Sequence, residues 1–70
     1  MIHRTAIVDP TAHLGADVTV GPYAIVGPHV TVGDRTGIAA HVVIERNTRV
    51  GSGVKIGYGT VIGKIGRAHV

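Results

Sequence analysis

Residues 14–33 read LGADVTVGPYAIVGPHVTVG, and within this stretch an aliphatic residue followed by Gly returns at every sixth position. The aliphatic position continues at the same spacing along the chain without a miss. Its members are Ile2, Val8, Leu14, Val20, Val26, Val32, Ile38, Ile44, Val50, Ile56 and Ile62. Four residues after each of them lies a small or β-branched residue, as at Ala24 and Val30. A strict period of six is neither that of a helix nor the simple alternation of a strand, and it predicts a solenoid.

Each hexad is expected to supply a short strand and a tight turn, because Gly-Pro pairs recur at 21–22 and 27–28 in the same phase. Three hexads then form one triangular coil of eighteen residues. The sequence therefore predicts an all-β fold, a parallel β-helix solenoid of three to four coils, with the aliphatic side chains stacked in three interior ladders. Gly at the first turn position is expected to supply φ values that other residues adopt only at a cost. The final coil is expected to present an unpaired strand edge.

The residue before each aliphatic position is expected to point outward. On two faces of the prism these residues are polar or small, and they are His13, Thr31 and Arg49 on one face and Thr19, Gly37 and Lys55 on the other. On the third face they are Ile7, Ile25, Val43 and Val61, which we call the apolar ladder. Isolated exposed Ile and Val are ordinary in strands, but a contiguous apolar stripe predicts an interface. We expect the apolar ladder to be the contact of a cyclic homotrimer.

Composition narrows the classes of function. A chain of 70 residues buries little apolar surface, so contact with other copies or with more chain is expected. The net charge of +3 is not gathered into a basic stripe, and there is no Phe or Trp for base stacking, so nucleic-acid binding is not expected. The start of the chain lacks the apolar region of a signal peptide, and no apolar run reaches the length of a membrane span. We therefore expect a cytoplasmic protein without membrane insertion.

No catalytic, cofactor-binding or metal-binding residue is predicted. The histidines His3, His13, His29 and His41 fall at outward positions, and none accompanies a Ser or Cys nucleophile signature. No two of them lie one coil apart, so they do not stack as neighbouring metal ligands. Residues 51–57 are rich in Gly but do not form a phosphate-binding motif. No cofactor is implied.

The register ends after Gly63. Residues 64–70 are out of phase with the repeat, and the sequence from Ile65 to Val70 also reads as the translation of a sequencing adapter that is followed by a stop codon. We expect a β-helix domain at 1–63 and a tail at 64–70 that is artefactual. The alternative is a loop that leaves the solenoid.

The hexad series resembles the hexapeptide-repeat acyltransferases. Over residues 1–63 it looks most like the acyl-carrier-protein–UDP-N-acetylglucosamine O-acyltransferases of lipid A biosynthesis. The resemblance rests on the start at Met-Ile-His and on TAIVDP at 5–10, GPY at 21–23, GPHV at 27–30 and HVVI at 41–44. It weakens at residues 57–60, where the family has an aromatic- and Gln-containing stretch.

The resemblance implies a left-handed coil and a cytoplasmic homotrimer that moves a 3-hydroxyacyl chain from acyl carrier protein to the 3-hydroxyl of UDP-N-acetylglucosamine. It places the catalytic His in later coils, so no residue here is matched to it. The 70-residue chain itself is expected to be a scaffold and trimer contact without activity. Two alternatives stay open: another hexapeptide-repeat acyl- or acetyltransferase that uses acetyl-CoA, and a non-catalytic structural solenoid.

Overall fold

The computed structural model describes residues 1–63 and 68–69, and every regular element in them is a strand of two residues. The described residues form eleven strands, and the first ten follow one another at intervals of six residues. The strands are β1 (Ile7–Val8), β2 (His13–Leu14), β3 (Thr19–Val20), β4 (Ile25–Val26), β5 (Thr31–Val32), β6 (Gly37–Ile38), β7 (Val43–Ile44), β8 (Arg49–Val50), β9 (Lys55–Ile56), β10 (Val61–Ile62) and β11 (Ala68–His69). The all-β prediction is confirmed.

The strands form three sheets, one on each side of a prism. Their orders are β1-β4-β7-β10-β11, β2-β5-β8 and β3-β6-β9. Each strand from β1 to β7 pairs in parallel with the strand one coil later, so that Ile7 lies opposite Ile25, Ile25 opposite Val43 and Val43 opposite Val61. Ile2 adds a parallel bridge to Val20. This register confirms the parallel β-solenoid and its eighteen-residue coil.

The core is the set of aliphatic side chains that the period places inside. Val26 and Ile44 are almost fully buried, as are Val30 and Val42 at the small or β-branched position. One ladder consists of Val8, Val26, Ile44 and Ile62. Thr36 is also buried, and its hydroxyl donates a hydrogen bond of 2.6 Å to the carbonyl oxygen of Gly51. Because this polar group is paired inside the prism, its burial carries no unpaired-donor penalty.

The expectation about Gly at the first turn position is wrong. A positive φ occurs instead at the third turn position, where φ lies between 56° and 67°. The residues there are Asp17, Tyr23, His29, Arg35, His41, Asn47, Gly53 and Gly59. Gly at the first position is needed for close approach: a Cβ on Gly21 would lie 2.8 Å from the backbone of Ala39 and Ala40 in the next coil. At Gly21 the turn of the next coil therefore lies too close for a side chain.

The strand β11 is the exception to the parallel arrangement. It runs antiparallel to β10, with Val61 opposite His69 and Ile62 opposite Ala68. The edge of β10 is therefore paired, and for this strand the expectation of a free edge is wrong. Residues 64–67 and 70 lie outside the described residues, and the hypothesis that the tail at 64–70 is artefactual stays a prediction.

Candidate functional site

The apolar ladder lies on the outer surface of the β1-β4-β7-β10 sheet. Ile7 is 63% exposed and Ile25 is 40% exposed, whereas Val43 and Val61 are half-buried. Strand pairing aligns all four side chains in one column. The structure thus brings together the four residues that the sequence singled out, and it leaves them accessible to another molecule.

A shallow depression of about 500 Å³ lies beside the apolar ladder. Ile25, Val43 and Pro28 line it together with the charged residues Glu45 and Arg46. Gly27 contributes to the lining without a side chain. A lining that combines apolar and charged side chains is compatible with a protein contact surface, which contains both kinds.

The other two faces differ from each other. The β2-β5-β8 face presents the column of His13, Thr31 and Arg49. The β3-β6-β9 face presents Thr19, Gly37 and Lys55, and a depression of about 270 Å³ lies over Gly37. Only the β1-β4-β7-β10 face therefore carries an apolar column among the described residues.

The four histidines within residues 1–63 lie on the surface, as predicted. His3, His13, His29 and His41 are all exposed. His3 Nδ1 lies 2.8 Å from Thr5 Oγ1, within hydrogen-bond distance. Within residues 1–63 and 68–69 no three His, Cys, Asp or Glu side chains are grouped so that they could hold a metal ion.

His41 stacks on Tyr23 at one edge of the prism. The ring centroids are 5.4 Å apart and the ring planes differ by 13°. Sequence reasoning missed this pair, although the signal was present: the two residues occupy the same turn position one coil apart.

Asp9 holds a turn together through Thr11. The Thr11 hydroxyl and the Thr11 backbone N–H donate hydrogen bonds of 2.6 and 2.9 Å to Asp9 Oδ1. The same hydroxyl oxygen accepts a hydrogen bond of 2.9 Å from the backbone N–H of His29 in the next coil. The hydroxyl of Thr11, its backbone N–H and then the nearby His29 hold the pKa of Asp9 below its ordinary value.

This carboxylate gives a pH-dependent prediction. We expect Asp9→Asn to lower the free energy of unfolding at pH 7 and to lower it less at acidic pH. A depressed pKa stabilises the folded chain above the unfolded pKa of about 3.9, and this contribution is lost as the pH falls through the folded pKa. Urea unfolding of both proteins between pH 7 and pH 3 measures the difference. Asp17→Asn, at another edge, is the control, and an equal penalty for Asp9→Asn at both ends of the range would contradict the prediction.

Residues 1–63 and 68–69 contain no helix long and apolar enough to cross a membrane.

Comparisons with known proteins agree with this architecture. The family model described as "Bacterial transferase hexapeptide (six repeats)" matches residues 1–34. No curated protein matches the chain. Among solved structures, thirteen chains match. One of these is LpxA from Acinetobacter baumannii, which is 44% identical with a TM-score of 0.59.

The match to LpxA covers 73% of this chain and 22% of the LpxA chain. The chain thus spans about a fifth of the length of that relative. Both findings confirm the resemblance to hexapeptide-repeat acyltransferases that the sequence showed. The chain is a β-solenoid of hexapeptide repeats, similar over its first 34 residues to the bacterial hexapeptide transferases and similar in sequence and structure to a part of LpxA.

Proposed function

We propose that residues 1–63 are the first coils of a cytoplasmic acyltransferase. The complete enzyme moves a 3-hydroxyacyl chain from acyl carrier protein to the 3-hydroxyl of UDP-N-acetylglucosamine. The observation that carries this proposal is the 44% identity to LpxA over 73% of the chain. The sequence segments within residues 1–44 that resemble this class of acyltransferase also support it. In a homotrimer, the present chain supplies scaffold and subunit contact.

The geometry supports a scaffold role. Every coil repeats the register of the coil before it, so a coil that follows β8 and β9 is placed by the same parallel pairing. The side chains of later coils are then held at fixed positions relative to the first coils. Rigid support of this kind is what a catalytic group needs to stay in productive geometry.

The chain by itself is expected to be inactive. His3, His13, His29 and His41 are exposed, and the two described side-chain hydrogen bonds of a His both join His3 to Thr5. A general base needs a reacting group within reach and an environment that sets its pKa. The resemblance places that base in later coils. Acyl transfer by the 70-residue chain alone would contradict this expectation.

A chimera tests the proposal. Residues 1–63 replace the matching coils of LpxA from A. baumannii, and transfer from 3-hydroxyacyl-acyl carrier protein to UDP-N-acetylglucosamine is measured beside unmodified LpxA. We expect a trimer with transfer close to that of the reference. The chimera with Ile25→Asp and Val43→Asp is expected to lose assembly and transfer together, whereas Thr31→Asp on the polar face is expected to keep both.

The outcomes separate the alternatives. A trimeric chimera that transfers only from acetyl-CoA would favour another hexapeptide-repeat acetyltransferase. A trimeric chimera that transfers from neither donor, beside an active reference, would favour a structural solenoid. Either result would contradict the proposed 3-hydroxyacyl transfer.

A further inference from the structure

The two ends of the solenoid carry strand edges that match each other. β8 and β9 are the last strands of their sheets, and β1 and β2 are the first strands of theirs. We propose that the last coil can bind the first coil of a second copy of this chain, and that the antiparallel strand β11 blocks this stacking in the unmodified chain. The inference concerns assembly along the solenoid axis and does not rest on the proposed acyl transfer.

The last coil offers unpaired hydrogen-bond donors. In the β3-β6-β9 sheet the backbone N–H of Gly37 donates a hydrogen bond of 2.8 Å to the carbonyl oxygen of Val54 in the next coil. Lys55 lies opposite Gly37 in the same register, so its N–H points to where a further coil would lie. Within residues 1–63 and 68–69 the N–H groups of Lys55 and Gly57 have no backbone partner. A strand edge of this kind is a template for pairing with another chain.

The first coil offers the matching acceptors. The carbonyl oxygens of Ala24 and Val26 accept hydrogen bonds of 2.8 and 2.9 Å from the coil before them. Ala6 and Val8 hold the same positions one coil earlier, and in the described part of the chain no backbone donor reaches their carbonyl oxygens. When β1 of a second copy lies on β9, the N–H of Lys55 therefore meets the carbonyl oxygen of Ala6.

One rotation about the axis brings the two ends into register. Ile2 forms a parallel bridge to Val20 and so takes the place of a strand before β1. After a third of a turn, the second copy lays its Ile2 on β8, its β1 on β9 and its β2 on β10. Its interior side chains then continue the ladders, with Ile2 on Val50 and Val8 on Ile56. Ile2 is 48% exposed in the single chain, so stacking removes apolar surface from water.

The charges of the two ends favour contact between unlike ends. The last coil, residues 46–63, carries three Lys or Arg side chains and no Asp or Glu. The first coil, residues 1–18, carries two Asp and one Arg. Two last coils would place cations against cations, whereas a first coil on a last coil brings opposite charges together. Head-to-tail contact along an axis does not close on itself, so it generates a filament.

β11 occupies the place that the second copy needs. It pairs antiparallel with β10, and Ala68 lies opposite Ile62. In the stacked register β2 of the second copy would pair with the same edge of β10. The first coil of the second copy is continuous, so a block at β10 also keeps it from β8 and β9. β11 therefore acts as the cap that the end of a solenoid needs in order to stay dispersed.

Two proline substitutions in the full chain test the cap. Ala68→Pro with His69→Pro removes both backbone N–H groups of β11 and so weakens its pairing with β10. We expect this variant to form filaments. Each copy would add the Ile2 bridge and β1 to β10, eleven strands in all, which is about 18 Å along the axis at a coil spacing of about 4.8 Å. Electron cryo-microscopy measures both repeats. Ala68→Thr with His69→Thr keeps the N–H groups and is expected to stay dispersed, like the unmodified chain.

A further substitution tests whether the β9 edge carries the contact. Lys55→Pro removes an N–H that has no backbone partner in the described part of the chain, so the described hydrogen bonds within the chain are kept. Added to the tail variant, it is expected to abolish the filaments. Ile25→Asp, on the outer surface of the apolar ladder, is expected to leave them intact. This pair of variants separates stacking of ends from contact through the ladder.

Several results would overturn the inference. They are a tail variant that stays dispersed, filaments of the unmodified chain, filaments that persist with Lys55→Pro or disappear with Ile25→Asp, and a discrete dimer, which pairing of two like ends would give. Far-UV circular dichroism like that of the unmodified chain establishes that each variant is folded, and Ala68→Pro alone replaces the double substitution if the latter does not fold. Assembly is measured without substrate, so its failure is distinct from a failure of acyl transfer in the chimera.

Discussion

Replacing Ile44 with Ala is expected to unfold most of the chain. Ile44 is fully buried and lies between Val26 and Ile62 in its ladder. Removing three carbon atoms from such a site costs about 2–5 kcal/mol, because the surrounding coils cannot collapse into the cavity. Domains of this size rarely hold more than about 3–5 kcal/mol of stability. The expected loss is therefore comparable to the whole free energy of unfolding.

Urea unfolding followed by far-UV circular dichroism measures this effect. Leu14→Ala is the matched control, since Leu14 is half-buried and has a paired neighbour, Val32, on one side only. Its loss is expected to be smaller, roughly 1–2 kcal/mol, because less apolar area leaves the interior. Equal losses at the two positions would show that the middle of a ladder is no better packed than its end.

Gly21→Ala is expected to have the second largest effect. Its Cβ would stand 2.8 Å from the carbonyl carbon of Ala39 and from the backbone nitrogen of Ala40. These are backbone atoms, so relief requires two whole coils to separate at this edge. Overpacking of this kind costs about 1–3 kcal/mol, and each kcal/mol lowers the Tm of a domain of 60–100 residues by about 4–8 °C.

Gly57→Ala is the control for this prediction. It occupies the same phase of the repeat, but nothing lies within 4 Å of its Cβ position. Ala at this position restricts the unfolded chain, which raises the free energy of unfolding by up to about 1 kcal/mol. The Tm is therefore expected to stay unchanged or to rise. Thermal melts of both variants distinguish two reasons for Gly at this turn position. If Gly supplied an unusual φ, Gly21→Ala and Gly57→Ala would be destabilised equally. If Gly allows the next coil to approach closely, only Gly21→Ala is destabilised.

Much of the fold could be predicted because one spacing fixes several properties at once. A period of six places Val26 inside and Ile25 outside, and three such periods return the chain to the same face. The interior ladders and the column of exposed Ile and Val follow from that register alone. They do not depend on the exact rotamer of any side chain.

The remaining features depend on distances that the spacing does not contain. A recurring Gly signals either an unusual φ or a close neighbour, and the sequence is the same in both cases. The link from Asp9 through Thr11 to His29 requires side-chain positions within hydrogen-bond distance. The candidate site could be predicted only as a surface, because the hexad specifies packing of the coil and not chemistry. The chain matches 22% of the LpxA chain.

The eighteen-residue register also limits how such a chain can change in length. An insertion of one hexad would preserve the inside and outside of every strand, yet it would turn all later outward residues onto the next face. Val43 and Val61 would then leave the column of Ile7 and Ile25, and the apolar ladder would be interrupted halfway along the prism. Only the gain or loss of whole coils keeps the apolar ladder continuous. Lineages of this solenoid are therefore expected to grow or shrink by duplication or deletion of eighteen residues at a time.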